Sequence, residues 1–172
     1  MKKLLALLFV FTAVFALSAC NGEEEVETGN YEPGMYFGYT EGHRNTIAVL
    51  FVDENGFISD IFVDTAYDMT VDEELVSTTK MSLDGGCGYH MHRAKEVEYD
   101  ADGNCFVDGE MMWHEQVQAI IDAIIEAQEI PAWDIVDNEF DFEDGDDVVA
   151  GVTITIDGYL DAIEAALTQA QE

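Results

Sequence analysis

Asn45-Thr-Ile-Ala-Val-Leu-Phe-Val-Asp53, then Glu54-Asn55-Gly56, then Phe57-Ile-Ser-Asp-Ile-Phe-Val-Asp-Thr65 is the stretch that decides the fold. Two runs rich in β-branched and aromatic residues flank a three-residue tight-turn signal, which reads as an antiparallel hairpin. Met35–Thr40, just upstream, has the same character and extends the pair into a meander with an aliphatic and aromatic inner face. Ala66–Lys80 reads as a polar stretch, followed by a Gly-rich segment from Asp84 to Gly88. Val97–Tyr99 and Cys105–Val107 flank Asp100-Ala-Asp-Gly-Asn104. This spacing echoes part of a calcium loop, but position twelve is Gly109 where a Glu should close it, so a plain hairpin turn is the reading.

Two helices follow. Glu110–Gln128 carries Trp113, Val117, Ile120, Ile121, Ile124 and Ile125 on one stripe, with Asp108 as its expected N-cap and Pro131 ending the segment. After an acidic loop at Asp141–Asp147, Val148–Ile156 reads as a buried strand. Asp157 is the candidate N-cap of a terminal helix that buries Tyr159, Leu160, Ile163, Ala166 and Leu167. The expected class is α+β: one antiparallel sheet packed against two main helices in a single domain.

Composition narrows the function. The 172 residues are 48% apolar, enough for a real core, and acids outnumber Lys+Arg by 37 to 6, for a net charge of −31. Such a field repels phosphate backbones, so nucleic acid is excluded as a partner. Lys2-Lys3 followed by an uncharged run from Leu4 to Ala19 reads as a signal peptide, residues 1–19. Its close, Leu17-Ser18-Ala19-Cys20, resembles a bacterial lipobox, which makes Cys20 the expected lipidation site and the membrane a partner through acyl chains. Residues 20–33 then form an acidic tether, and residues 34–172 the domain, held at the extracytoplasmic face of the cell membrane. In that compartment Cys87 and Cys105 either pair or remain free thiols. His90 and His92 read as loop residues, and no metal site is assigned, because a metal needs at least three converging ligands.

The phrase Asp147-Val-Val-Ala-Gly151-Val-Thr153-Ile-Thr155, running into Ile156-Asp-Gly-Tyr-Leu-Asp-Ala-Ile-Glu-Ala-Ala-Leu167, resembles the flavin-attachment signature of the FMN-binding domain family. The likeness is greatest to the extracellular electron-transfer lipoproteins of Gram-positive bacteria. It extends through Tyr36-Phe37-Gly38-Tyr39, Lys80, Leu83, Gly88-Tyr89, Met91 and Trp113-His114-Glu115-Gln116. Asp147 and Gly151 match the signature, whereas Ala150 stands where Ser or Thr is usual and Val152 where a smaller residue is usual.

The resemblance implies FMN joined by a phosphodiester to the Thr153 hydroxyl, installed by a flavin transferase. It further implies electrons accepted from a quinol-linked donor and passed to an extracellular acceptor, an electron carrier more than a turnover enzyme. The chemistry is coherent. A phosphodiester needs a hydroxyl, Gly151 lets backbone approach a phosphate, and a covalent bond retains an anionic nucleotide that a strongly acidic chain would repel. Tyr89, Met91 and Trp113 are candidates to pack on the flavin ring, with a core role as the default for Trp113. The alternative is a binding or structural lipoprotein that keeps the fold without the cofactor.

Overall fold

Strand β2 (Thr46–Val52) alternates strictly, with Thr46, Ala48, Leu50 and Val52 buried and the residues between them half-buried. Such a period-two pattern needs one covered face, and a sheet neighbour on each side. In the computed structural model, which describes residues 27–42, 44–89, 91, 96–136, 139–140, 149 and 151–171, those neighbours are β1 (Gly34–Thr40) and β3 (Ile58–Val71). The register runs Phe37↔Val49↔Phe62, so Phe37 and Phe62 stand exposed on the outer face of the sheet. The turn at Glu54–Gly56 lies where the sequence places it, and Ser59 is an extra residue opposite Phe51 and Val52.

The sheet is larger than the sequence suggests. The polar stretch at Ala66–Lys80 is not a loop: β3 runs on to Val71 and turns back as β4 (Glu74–Thr79), in the order β1-β2-β3-β4. Its turn, Asp72-Glu73, takes left-handed φ values of 49° and 69° without the Gly or Asn that usually marks such a turn. This hairpin carries few buried residues, so no hydrophobic alternation announces it.

Downstream, β5 (Glu98–Tyr99) and β6 (Cys105–Phe106) form a small hairpin. The Asp100 carboxylate accepts the backbone N–H groups of Asp102 and Asn104 and the Asn104 side-chain amide, which is a turn device and needs no calcium. Helix α1 (Trp113–Ala127) starts three residues later than expected. Its cap is Met112 rather than Asp108, and the Glu115 carboxylate reaches back 2.6 Å to accept the Met112 N–H. The helix stops before Pro131, at Gln128 in a left-handed conformation. The Gln128 side-chain amide pairs with both backbone groups of Ile58 and ties the helix end to the start of β3. A two-residue pair, β7 (Ile135–Val136) and β8 (Glu139–Phe140), precedes the acidic loop, which lies outside the described residues.

Helix α2 (Asp157–Ala170) has Ile156 as its N-cap, with no side-chain cap, so Asp157 is the first residue of the helix and not the expected cap. The helix buries Tyr159, Leu160, Ile163, Ala166 and Leu167 as expected. It rests on β1 and β2, and Gly38 permits this: a Cβ there would sit 1.7 Å from the Ala162 carbonyl oxygen. The chain is thus an α+β single domain, with a curled four-stranded antiparallel sheet whose inner face is covered by α1 and α2. Among the described residues no helix is long and apolar enough to cross a membrane.

Gly151–Ile156 corrects the expectation of a strand. Among the described residues they form no ladder; Val152 donates to the Val149 carbonyl in a turn, and Gly151 sits at φ 84°. The stretch still alternates, with Val152, Ile154 and Ile156 buried in the core and Gly151, Thr153 and Thr155 exposed.

Candidate functional site

Thr153 opens onto a cleft of about 530 Å³. Its rim and floor come from the ends of β1 and β2, Thr65 of β3, Lys80 just after β4, Tyr89, Met91, the first residue of α1 and the first turn of α2. The volume lies in the range of small-molecule sites. A second hollow of about 390 Å³, between β3 and α1, offers neither a hydroxyl nor a Lys or Arg.

The position of Thr153 is set from inside the core. Gln116, fully buried on α1, accepts the Thr153 N–H at 2.7 Å through Oε1 and donates to the Met111 carbonyl at 3.0 Å through Nε2. One side-chain amide therefore does for this stretch what a neighbouring strand does elsewhere, satisfying a backbone donor that would otherwise be costly to bury. Gly151 is favoured by its φ of 84°, and a Cβ there would also push aside the flexible Met111 side chain, whose sulfur would lie 2.4 Å away. Val152, unusual against the flavin signature, points into the core and takes no space in the cleft.

The cleft gathers bases that are scarce in this chain. Arg44 and Lys80 are the Lys and Arg residues among the described ones, and both line it, 36 positions apart in sequence. Lys80 Nζ donates to the Tyr159 hydroxyl at 3.0 Å and lies 4.2 Å from the Tyr89 ring centroid and 4.7 Å from that of Trp113. Trp113 Nε1 donates to the same hydroxyl at 2.9 Å. Arg44 donates to the Tyr89 hydroxyl at 3.2 Å and lies over the Tyr67 ring. Tyr89 meets Tyr67 and Trp113 edge-on, with centroids 5.0 and 6.0 Å apart.

Burial lowers the Lys80 ammonium to about 7, with nearby Arg44 adding to the effect and Asp64 opposing it. Burial likewise pushes the Tyr159 phenol up to about 12, against the hydrogen bond from Trp113. At neutral pH the cleft therefore holds a protonated phenol, a permanent guanidinium and a lysine poised between its two states. Glu41, Asp157 and Asp161 line the same cleft, so acids stand beside the two bases there. An anion with a flat aromatic body finds cations, ring faces and edges, and a hydroxyl acceptor here.

Of the residues singled out in the sequence, Thr153, Tyr89, Met91 and Trp113 come together on this cleft. Trp113 is fully buried core as well as part of the cleft wall. Gly151 shapes the turn behind Thr153. Asp147, Ala150, His90, His92 and Cys20 lie outside the described residues. Cys87 and Cys105 are joined in a disulfide, with Cα atoms 5.8 Å apart. Sequence reasoning missed Arg44 as a site residue, quoted Lys80 and Gln116 only as part of a likeness, and placed Tyr159 on the buried side of the terminal helix. Their signal was scarcity: a base in so acidic a chain, or a Gln on an apolar helical stripe, stands out once sought.

No family model matches the chain, and neither does any curated protein. A solution NMR structure from Clostridium thermocellum, a structural-genomics target, is similar over 81% of this chain and 92% of that chain, at 18% identity and a TM-score of 0.43. Backbones that differ this much say nothing about a shared site.

Proposed function

We propose that the chain is a membrane-anchored extracytoplasmic flavoprotein that carries electrons through FMN linked by a phosphodiester to Thr153. The observation that carries the reading is the exposure of Thr153 on a cleft that collects Arg44 and Lys80 from a chain of net charge −31. An anionic cofactor is otherwise disfavoured by the field of this protein; Arg44 and Lys80 give its phosphate partners, beside the acids Glu41, Asp157 and Asp161 of the same cleft. Bound flavin provides the redox chemistry; the protein provides attachment, position and electrostatics. Thr153 gives the hydroxyl, Gly151 and Gln116 fix its backbone, and Tyr89, Met91 and Trp113 border the space for the ring. Lipid on Cys20 and the acidic tether hold the domain outside the membrane, between a quinol-linked donor and an extracellular acceptor.

Co-expression with a flavin transferase tests this. In-gel fluorescence and intact mass are expected to show one covalent FMN on the native chain and on Thr155→Ala, and none on Thr153→Ala. Absence of flavin from the native chain overturns the reading in favour of a binding or structural lipoprotein that keeps the fold without cofactor.

A further inference from the structure

Behind Trp113, and independent of the flavin reading, three metal-ligating side chains from three elements meet. Cys87 follows a single 3-10 turn at Asp84–Gly86, Cys105 lies in β6, and His114 is the second residue of α1. Their ligand atoms all fall within 4.8 Å of one another. His114 Nε2 stands 3.9 Å from Cys105 Sγ, while His114 Nδ1 is buried with no hydrogen-bond partner among the described residues. Gly86 lets the loop close on this histidine, since a Cβ there would come within 2.9 Å of the His114 Cβ.

We propose that these residues form a redox-gated site for a borderline-soft divalent cation such as Zn²⁺. With the disulfide formed the sulfurs are spent on each other and the site is closed. Two-electron reduction opens it. A trialkylphosphine plus the disulfide plus water gives the phosphine oxide and two thiols, the electrons passing from phosphorus to the sulfurs; a dithiol reductant does the same and leaves as its own disulfide. Zn²⁺ then binds both sulfurs as thiolates and releases their two protons to solvent.

Tetrahedral zinc with bonds of about 2.3 Å to sulfur and about 2.0 Å to nitrogen asks its ligand atoms to stand roughly 3.3–3.8 Å apart. The Cys105–His114 separation is already close to that, and the two sulfurs reach it by rotating their side chains apart. Two thiolates, one neutral imidazole and Zn²⁺ sum to zero charge, which suits a place where Cys105 is almost wholly buried. Water takes the fourth position, because Cys87 is only half-buried. The acidic surface raises the local cation concentration without supplying these ligands.

Equilibrium dialysis of the full domain against Zn²⁺, with Mg²⁺ in excess to occupy surface carboxylates, tests the site. The phosphine-reduced chain is expected to retain one Zn²⁺ and the oxidised chain none. Co²⁺ in place of Zn²⁺ is expected to give a thiolate-to-metal charge-transfer band only after reduction. His114→Gln is expected to weaken binding about tenfold or more, since even lost outer-shell partners of metal ligands cost that much. The Cys87→Ser, Cys105→Ser double variant is expected to abolish binding, and near-ultraviolet circular dichroism follows the fold throughout. Equal zinc on oxidised and reduced chains, no effect of His114→Gln, or a reduced chain that loses its fold or retains no zinc each overturns the proposal. None of these results bears on flavin at Thr153.

Discussion

Strand β2 and the stretch Gly151–Ile156 share a pattern and differ in what holds them. Both alternate inward and outward residues against the same core. The strand is laddered on two sides, by β1 and β3, and sends its outward residues to the outer face of the sheet. The second stretch has no strand beside it among the described residues; a turn at Gly151 and the Gln116 amide hold it, and its outward side chains are the two threonines at the cleft. Period two therefore reports sidedness and not hydrogen-bond partners. An extended segment released from a ladder can bring hydroxyls to a hollow that a sheet would have filled with a neighbour.

The comparison can be broken at its stronger end first. Leu50→Ala in β2 removes a fully buried side chain from the centre of the core and is expected to cost about 2–5 kcal/mol, read as a shift in denaturant midpoint without a change in slope. Gln116→Met keeps the volume of the side chain and strands the Thr153 N–H. The expected cost is smaller, about 1–3 kcal/mol, and hydrogen exchange should speed at residues 152–155 while β2 stays protected. If β2 loosens as much, the amide is not a local tie and the contrast fails.

Lys80 sharpens the contrast through pH. Its folded value of about 7 lies below the ordinary 10.5, so between these limits the unfolded chain holds more protons. The contribution of this group to stability therefore rises with pH across that window. An anion in the cleft favours the charged lysine, so affinity for free FMN, measured on Thr153→Ala by fluorescence quenching, is expected to fall as pH rises past about 7. The fall should be at most about tenfold per pH unit and should vanish in Lys80→Met. The smallest expected effect is long-range: electron transfer from the flavin-loaded chain to cationic acceptors should slow as salt is raised, by stopped-flow, and a flat dependence would remove the electrostatic part of the reading.

Local pattern was enough for the hairpin around Asn55, for the apolar faces of α1 and α2 and for the turn at Asp100, because each is set by neighbours within one or two turns of chain. It failed at the β3–β4 hairpin, where no buried alternation and no Gly marks the turn at Asp72-Glu73. It failed also at Gly151–Ile156, where alternation was real and the ladder was not. Of the cleft, the hydroxyl and three ring-facing candidates could be named from sequence, while Gln116, Arg44 and Tyr159 could not.

By itself the sequence settles the α+β class, the acidity of the chain and which side of each main element turns inward, since these follow from residue type and spacing along a few residues. Only the tertiary structure brings Arg44, Lys80, Tyr89, Trp113, Thr153 and Tyr159 to one cleft, and Cys87, Cys105 and His114 to one point behind it. Those meetings join residues tens of positions apart, and they are decided by how α1 and α2 lie on the sheet, a matter of packing that no local period encodes.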